Sequence, residues 1–278
     1  MRAAIKTLLP VRLRRFLRRK AREAPARLRD LPKDAVCTVF PRAFGGPLPP
    51  PGLRARVGGV SRDEFELVGR EGSSAILRVF EMTRRPDREY PRWFDFGCGC
   101  GRIARRLVET GPVRSLTGVD VDADQIRWAR RHLTGTYGVM NATPPLALQP
   151  DSFDAIYAGS IFSHLDEREQ FAWLEELRRI LAPGGLLIAT THAPSLAQSC
   201  PGLTPADLAR LDERGFLAVD PLGSFNERST FHSAEYLSQA WGRFFLLRAH
   251  EPHGFISYQD LSVWEKPALP PRPRRADG

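Results

Sequence analysis

The chain of 278 residues carries 41 Lys and Arg against 32 Asp and Glu, a net charge of +9, and is 42% hydrophobic. That is enough apolar material for one sizeable core with appendages, while no apolar run approaches the roughly 18 residues of a membrane span. Four cysteines, Cys37, Cys98, Cys100 and Cys200, are too few for a disulfide framework and point to a reducing compartment.

The charge is uneven. Arg2, Lys6, Arg12, Arg14, Arg15, Arg18, Arg19, Lys20 and Arg22 fall in the first 22 residues with no acid among them, which leaves the other 256 residues net neutral. Residues 1–35 therefore read as a basic arm. After Pro10, the residues Leu13, Phe16, Leu17 and Ala21 recur at helical spacing among arginines. This is the pattern of a helix lying on an anionic membrane surface, or of a solvated arm. The arm lacks the continuous apolar segment of a signal peptide, so the expected location is cytoplasmic, with residues 1–22 able to visit the inner membrane face. Residues 36–60 form a Pro-rich linker, in which Pro41 to Gly52 is expected to exclude both helix and central strand. Ser61-Arg-Asp-Glu then opens a helix, a hydroxyl cap with an acid three residues on. It carries Phe65, Val68, Ile76, Leu77 and Val79, with a break expected near Gly69 or Gly72.

The stretch Arg92 to Arg102 organises the chain. Trp93-Phe94-Asp95-Phe96 is short and apolar enough for a buried strand. Gly97, Gly99 and Gly101 make a tight turn, and a helix follows from Ile103. A strand, a glycine turn and a helix form the first half of a nucleotide-binding unit. In a dinucleotide fingerprint the third glycine comes five positions after the first. Here it comes at four, and Arg102 holds the dinucleotide position. Asp120 ends the next apolar run, at a place where a carboxylate can accept from both ribose hydroxyls.

Asp95-x-Gly-x-Gly-x-Gly followed by Asp120 resembles the class I S-adenosylmethionine (SAM) dependent methyltransferases. The resemblance implies an α/β fold, a doubly wound and mostly parallel seven-stranded sheet with an antiparallel edge strand. It also implies SAM as cofactor, with the glycine turn under its methionine part and Asp120 on its ribose. The implied contacts are Asp95, Phe96, Gly97, Cys98, Gly99, Gly101, Asp120, Val121, Asn141, Ala142 and Ser160. Where the family often places an acid before Ala, against the adenine, this chain has Asn141.

Later segments extend the resemblance. Asp122 and Gln125 cap a helix to about Leu133, and Thr136 to Met140 is a third strand. Phe153 and Asp154 enter a fourth strand, and Asp166 to Leu181 is a helix with Phe171, Leu174, Leu177, Ile180 and Leu181 on one face. Pro183-Gly184-Gly185 is expected to stop that helix and start the fifth strand. The methyltransferase domain is thus expected over 61–266. Residues 193–232 make a substrate-side insert with a short helix from Thr204 to Gly215, and 267–278 a frayed tail. Ser233 caps a last helix, and Phe244 to Ala249 and Leu261 to Trp264 form an antiparallel closing pair.

Ligands of such sheets sit outside the carboxyl ends of the strands. His164 follows the fourth strand, His192 the fifth, and His232 precedes the last helix. His164 or His192 is the candidate general base for a hydroxyl acceptor, which could be a small molecule, a sugar or a lipid-linked group. No metal is required, and Cys98 and Cys100 lack the partner pair of a zinc site. A nucleic-acid (RNA) methyltransferase is disfavoured, because the 256 residues beyond the first 22 are net neutral and no Asn/Asp-Pro-Pro-Tyr stretch follows the fourth strand. A non-catalytic SAM-binding scaffold is the third reading. The oligomeric state is not legible.

Overall fold

A computed structural model of the protein describes residues 47–59, 61–200, 202–219 and 228–268. The basic arm, residues 36–46 and 60 of the linker, and the tail beyond residue 268 lie outside the described residues. The proline-rich stretch ends in a one-turn helix, α1 (Pro51–Arg54), running into a 3-10 turn, Ala55–Val57. Helix was not expected as far as Gly52. Pro51 is tolerated because it takes the first helical position, where its missing N–H leaves no bond unmade.

The second helix, α2 (Arg62–Thr83), starts at Ser61, whose hydroxyl accepts from the Glu64 N–H at 3.1 Å. It runs without a break through Gly69 and Gly72. These glycines serve close packing. A Cβ on Gly69 would lie 2.8 Å from the Arg102 carbonyl oxygen, and one on Gly72 would lie 3.1 Å from the Phe255 ring.

Parallel strands and helices alternate from there. In order they are β1 (Arg92–Phe96), α3 (Ala104–Thr110), β2 (Ser115–Asp120), α4 (Ala123–His132), β3 (Thr136–Val139) and β4 (Phe153–Ala158). A 3-10 turn, Phe162–His164, leads to α5 (Glu167–Ile180) and β5 (Leu181–Thr191). Asp166 and Glu169 close a reciprocal cap at the start of α5. At its end the helix stops at Ile180, earlier than expected. Leu181 is already extended and pairs with Phe153, and Ala155 next pairs with Leu186. Pro183-Gly184-Gly185 is therefore an excursion inside the strand pairing and not its start.

The insert holds α6 (Pro194–Gln198) and α7 (Pro205–Arg214), the latter ended by Gly215 in a left-handed conformation. An antiparallel ribbon, β6 (Phe216–Val219) and β7 (Ser229–His232), follows. Then come α8 (Ala234–Ala240), β8 (Leu246–Phe255) and β9 (Gln259–Glu265).

The main sheet has seven strands in the order β3-β2-β1-β4-β5-β9-β8. β9 runs antiparallel to β5, and β8 antiparallel to β9, so the antiparallel pair closes one edge. Two cores cover the two faces. One packs α2, α3 and α4 around Trp93, Tyr157 and Ile188. The other packs α5 and α8 around Phe94, Ile156, Leu187 and Trp264. Each such side chain, fully withdrawn from water, contributes about 1.5–3 kcal/mol. At the amino ends, buried Asp154 takes the Arg92 N–H at 3.1 Å and the Arg92 guanidinium at 2.9 Å, which locks β4 beside β1. Strand order reverses between β1 and β4. The crevice at their carboxyl ends is the topological switch point where ligands of doubly wound sheets bind.

Candidate cofactor and acceptor site

The turn after β1 is held in place by β2. The N–H groups of Gly97 and Cys98 both donate to the Val119 carbonyl at 2.9 Å. Gly97, Gly99 and Gly101 all have positive φ, a region closed to most side chains. Asp120 completes the tie. One carboxylate oxygen accepts the Gly99 N–H at 2.7 Å and the other the Asp122 N–H at 2.8 Å. Burial raises the Asp120 pKa, and these backbone donors counter it. Each oxygen keeps a lone-pair direction for a further donor. Met140 N–H donates to the Asp120 carbonyl at 3.0 Å, which brings the end of β3 beside the end of β2. Asn141 and Ala142 are exposed there, and Val121, an apolar residue beside the carboxylate, is 55% exposed.

Other implied contacts face elsewhere. The Phe96 ring is buried against Trp173, with centroids 4.6 Å apart. Cys98 is buried under the turn, and its Sγ lies 3.5 Å from the Gly99 carbonyl. These two can meet a cofactor through backbone only. Asp95 is 3% exposed and takes a hydrogen bond from the Tyr157 hydroxyl. Burial pushes its pKa up to about 8, and its side chain lies inside the sheet.

The carboxyl ends of β4 and β5 bring both candidate histidines together. His164 and His192 have ring centroids 6.0 Å apart, edge to face. His164 Nδ1 donates to the Arg228 carbonyl at 2.9 Å, which leaves Nε2 as its basic nitrogen. Burial lowers its pKa, and that hydrogen bond opposes the shift. His192 Nε2 lies 3.1 Å from the Gln259 amide nitrogen, and Gln259 Oε1 accepts from the Ser160 hydroxyl at 2.9 Å. Ser160, at φ 59°, also donates its N–H to Thr190 Oγ1 at 2.7 Å. Burial, then the neighbouring His164, takes His192 down to about 4. It stays neutral at pH 7 but is a weak proton acceptor. His232 is fully buried against Gln170, so it belongs to the packing.

Gln259, Thr190 and Tyr258 were not singled out in the sequence. Gln259 reaches His192 across 67 residues of chain, and no local pattern marks such a contact. Tyr258 is the last of three turn residues between β8 and β9, and its ring stands 6.4 Å from the His192 ring.

The comparisons with known proteins bear on this architecture. A family profile described as a methyltransferase domain matches residues 94–185, from β1 through the Pro-Gly-Gly excursion. Over residues 94–185 the chain is a methyltransferase domain of the class I SAM-dependent kind.

The chain is 32% identical over 133 residues to a malonyl-[acyl-carrier protein] O-methyltransferase of Enterobacter lignolyticus, covering 48% of this chain and 50% of that protein. A protein of the same description from Halalkalibacterium halodurans is 26% identical over 70% of this chain and 71% of its own length. A trans-aconitate 2-methyltransferase of Rhodopseudomonas palustris is 32% identical over 34% of this chain and 36% of its own. The match thus spans about half of the first relative and about a third of the last. In fold, a SAM-dependent methyltransferase of Clostridium acetobutylicum superposes with a TM-score of 0.54 at 11% identity, over 72% of this chain and 92% of its own.

SAM is the cofactor of this family, and the residues present fit it. Asp120 offers accepting directions beside an uncovered apolar Val121, next to a turn of three glycines at positive φ.

Proposed function

We propose that the protein transfers a methyl group from SAM to an oxygen of a small-molecule acceptor seated at the carboxyl ends of β4 and β5. The observation that carries this reading is the Asp120 carboxylate, held by the Gly99 and Asp122 N–H groups at the switch point of the sheet. In this reading Asp120 accepts from the ribose hydroxyls, Val121 and Asn141 lie along the adenine, and the glycine turn supports the methionine part. Bound there, SAM supplies a methyl on a sulfonium sulfur, and the bond to sulfur breaks as the bond to oxygen forms.

The chain's own residues orient the acceptor and handle its proton. Orientation alone can supply on the order of 7 kcal/mol. For a hydroxyl, His164 takes the proton at Nε2, while Gln259 fixes the His192 ring beside it. A carboxylate acceptor needs no base. The named acceptors of the relatives, a malonyl group and trans-aconitate, are both acids. They support an oxygen acceptor of low molecular mass or one linked to a carrier. The basic arm serves in this reading, through residues 1–22, to bring the enzyme to an anionic membrane surface. Among the described residues no helix is long and apolar enough to cross a membrane.

The test is SAM and S-adenosylhomocysteine binding by calorimetry. Asp120→Ala removes hydrogen bonds to a charged acceptor and weakens binding by about 1.5–3 kcal/mol. Unchanged affinity removes Asp120 from the site, and binding of NADH in place of SAM overturns the function.

A further inference from the structure

The hairpin that joins β8 to β9 borders the acceptor end of the crevice. β9 starts beside the end of β5, with Asp260 paired to Thr191, so the turn residues Ile256, Ser257 and Tyr258 stand at the carboxyl edge of the sheet. This turn is strained. Ile256 at φ 43° and Ser257 at φ 63° are both left-handed, although neither is glycine, and for a β-branched residue that is an outlier. Such strain persists only where the flanking structure imposes it, and it gathers at ligand sites.

The flanks supply that constraint. Before the turn, the fully buried Phe255 ring lies 3.1 Å from where a Cβ on Gly72 would stand and 3.8 Å from one on Gly159. After the turn, Gln259 is 1% exposed and is bonded to both Ser160 and His192. The Tyr258 N–H donates to the Phe255 carbonyl at 3.3 Å, and Arg78 of α2 pairs with Glu251 at 2.5 Å. The backbone of Tyr258 is thus held from both sides, yet its side chain is 43% exposed. Of the large apolar side chains left exposed among the described residues, it is the one aromatic ring.

That ring heads a line of rings. It stands 6.4 Å from His192 at an interplanar angle of 39°, and His192 stands 6.0 Å from His164 at 86°. Ile161, three residues before His164, lies against the glycine turn at Gly97. The wall therefore runs from the hairpin, past the base of the proposed reaction, to the cofactor end. A flat π-system suits such a wall, since rings attract one another offset or edge to face at centroid distances of about 4.5–7 Å. A saturated skeleton of the same size gains contact area alone.

We propose that Tyr258 is a specificity-determining residue of the acceptor site, and that the acceptor is an aromatic hydroxyl compound, a phenol, whose ring packs on it. The inference rests on the methyl-transfer reading of this site and narrows its acceptor. A phenol also suits the base. Burial lowers the His164 pKa, so His164 needs a hydroxyl that gives up its proton readily, and a phenol with a pKa of about 10 does so far more easily than an alcohol. The phenol proton passes to His164 as the oxygen bonds the methyl carbon and the carbon–sulfur bond breaks.

Calorimetry on the full chain saturated with S-adenosylhomocysteine compares 2-naphthol with decahydro-2-naphthol, which has the same skeleton and no π-system. Wild type is expected to bind 2-naphthol about tenfold more tightly. Tyr258→Leu keeps apolar bulk and loses the ring, so the ratio falls to within about twofold of unity, while Tyr258→Phe preserves it. Both variants keep wild-type affinity for S-adenosylhomocysteine, a readout that loss of the fold would move. A second measurement needs no variant to fold. With labelled tyrosines, 2-naphthol protons give nuclear Overhauser contacts to the Tyr258 ring. Absence of those contacts, no binding of 2-naphthol, a wild-type ratio near unity, or a ratio that survives Tyr258→Leu overturns the proposal and leaves the methyl-transfer reading standing. Failure of wild type to bind S-adenosylhomocysteine overturns both.

Discussion

Gly69→Ala sets two opposing effects of known size against each other. In a helix interior, alanine is ordinarily about 1 kcal/mol better than glycine. At this position the new Cβ would lie 2.8 Å from the Arg102 carbonyl oxygen, about 0.5 Å inside the roughly 3.3 Å at which carbon and carbonyl oxygen ordinarily meet. The obstacle is backbone, anchored where Arg105 N–H donates to the Gly101 carbonyl at 3.1 Å, and it cannot rotate aside. Overpacking of this kind costs about 1–3 kcal/mol, so the net expectation is a loss of about 1 kcal/mol, read as a lower urea midpoint at unchanged slope. Gly242→Ala is the matched control. Nothing lies within 4 Å of a Cβ there, and the substitution is expected to stabilise by about 0.4–1 kcal/mol. Because the glycine turn must give way to relieve the contact, Gly69→Ala also weakens S-adenosylhomocysteine binding, and Gly242→Ala does not. If Gly69→Ala stabilises the protein as much as the control and leaves affinity unchanged, the close-approach reasoning is wrong.

Two further outcomes follow from the acceptor side and the arm. On a hydroxyl acceptor, His164→Ala lowers turnover by about 10²–10⁴-fold with SAM affinity retained, and wild-type turnover falls on the acid side with a midpoint below 6.5, since burial depresses the His164 pKa. A matching loss of SAM affinity would instead make His164 part of the cofactor site. For the arm, a polybasic segment gains about 1 kcal/mol per Lys or Arg at an anionic surface. A chain beginning at Leu31 is therefore expected to lose binding to anionic liposomes that the full chain shows. Equal liposome binding removes the arm as an anchor, and stronger arm-dependent binding to tRNA at the same ionic strength redirects it to nucleic acid.

Much of the cofactor half was legible because its signals are local. Three glycines, the strand before them and the acid at the end of the next strand occupy a short window, and each reflects a backbone requirement that few other residues meet. Gly69 and Gly72 misled for a related reason. Glycine in a helix carries a small local cost, while the gain from close approach to Arg102 and Phe255 depends on partners 33 and 183 residues away in the chain. Asp95 was legible as part of the motif but not as a buried acid, since that depends on Tyr157 arriving from β4. The acceptor walls were least legible. His192 gains its character from Gln259, Phe231 and Tyr258, three parts of the chain that meet only in the folded sheet.

The chain leaves the main sheet after Thr191, and the end of β7 comes back beside that exit. His232 N–H donates to the His192 carbonyl at 2.8 Å, and Ser233 N–H donates to the Gly215 carbonyl at 2.7 Å. The described residues between them close as a cassette, with their own small core of Ala197, Leu211, Leu217 and Phe231. Exchanging such a cassette for one of another length leaves the sheet register untouched, and doubling its length adds only about 0.6 kcal/mol of closure entropy. One methyl-donor platform can thereby carry many acceptor walls, and this is the segment to transplant when a new acceptor is wanted.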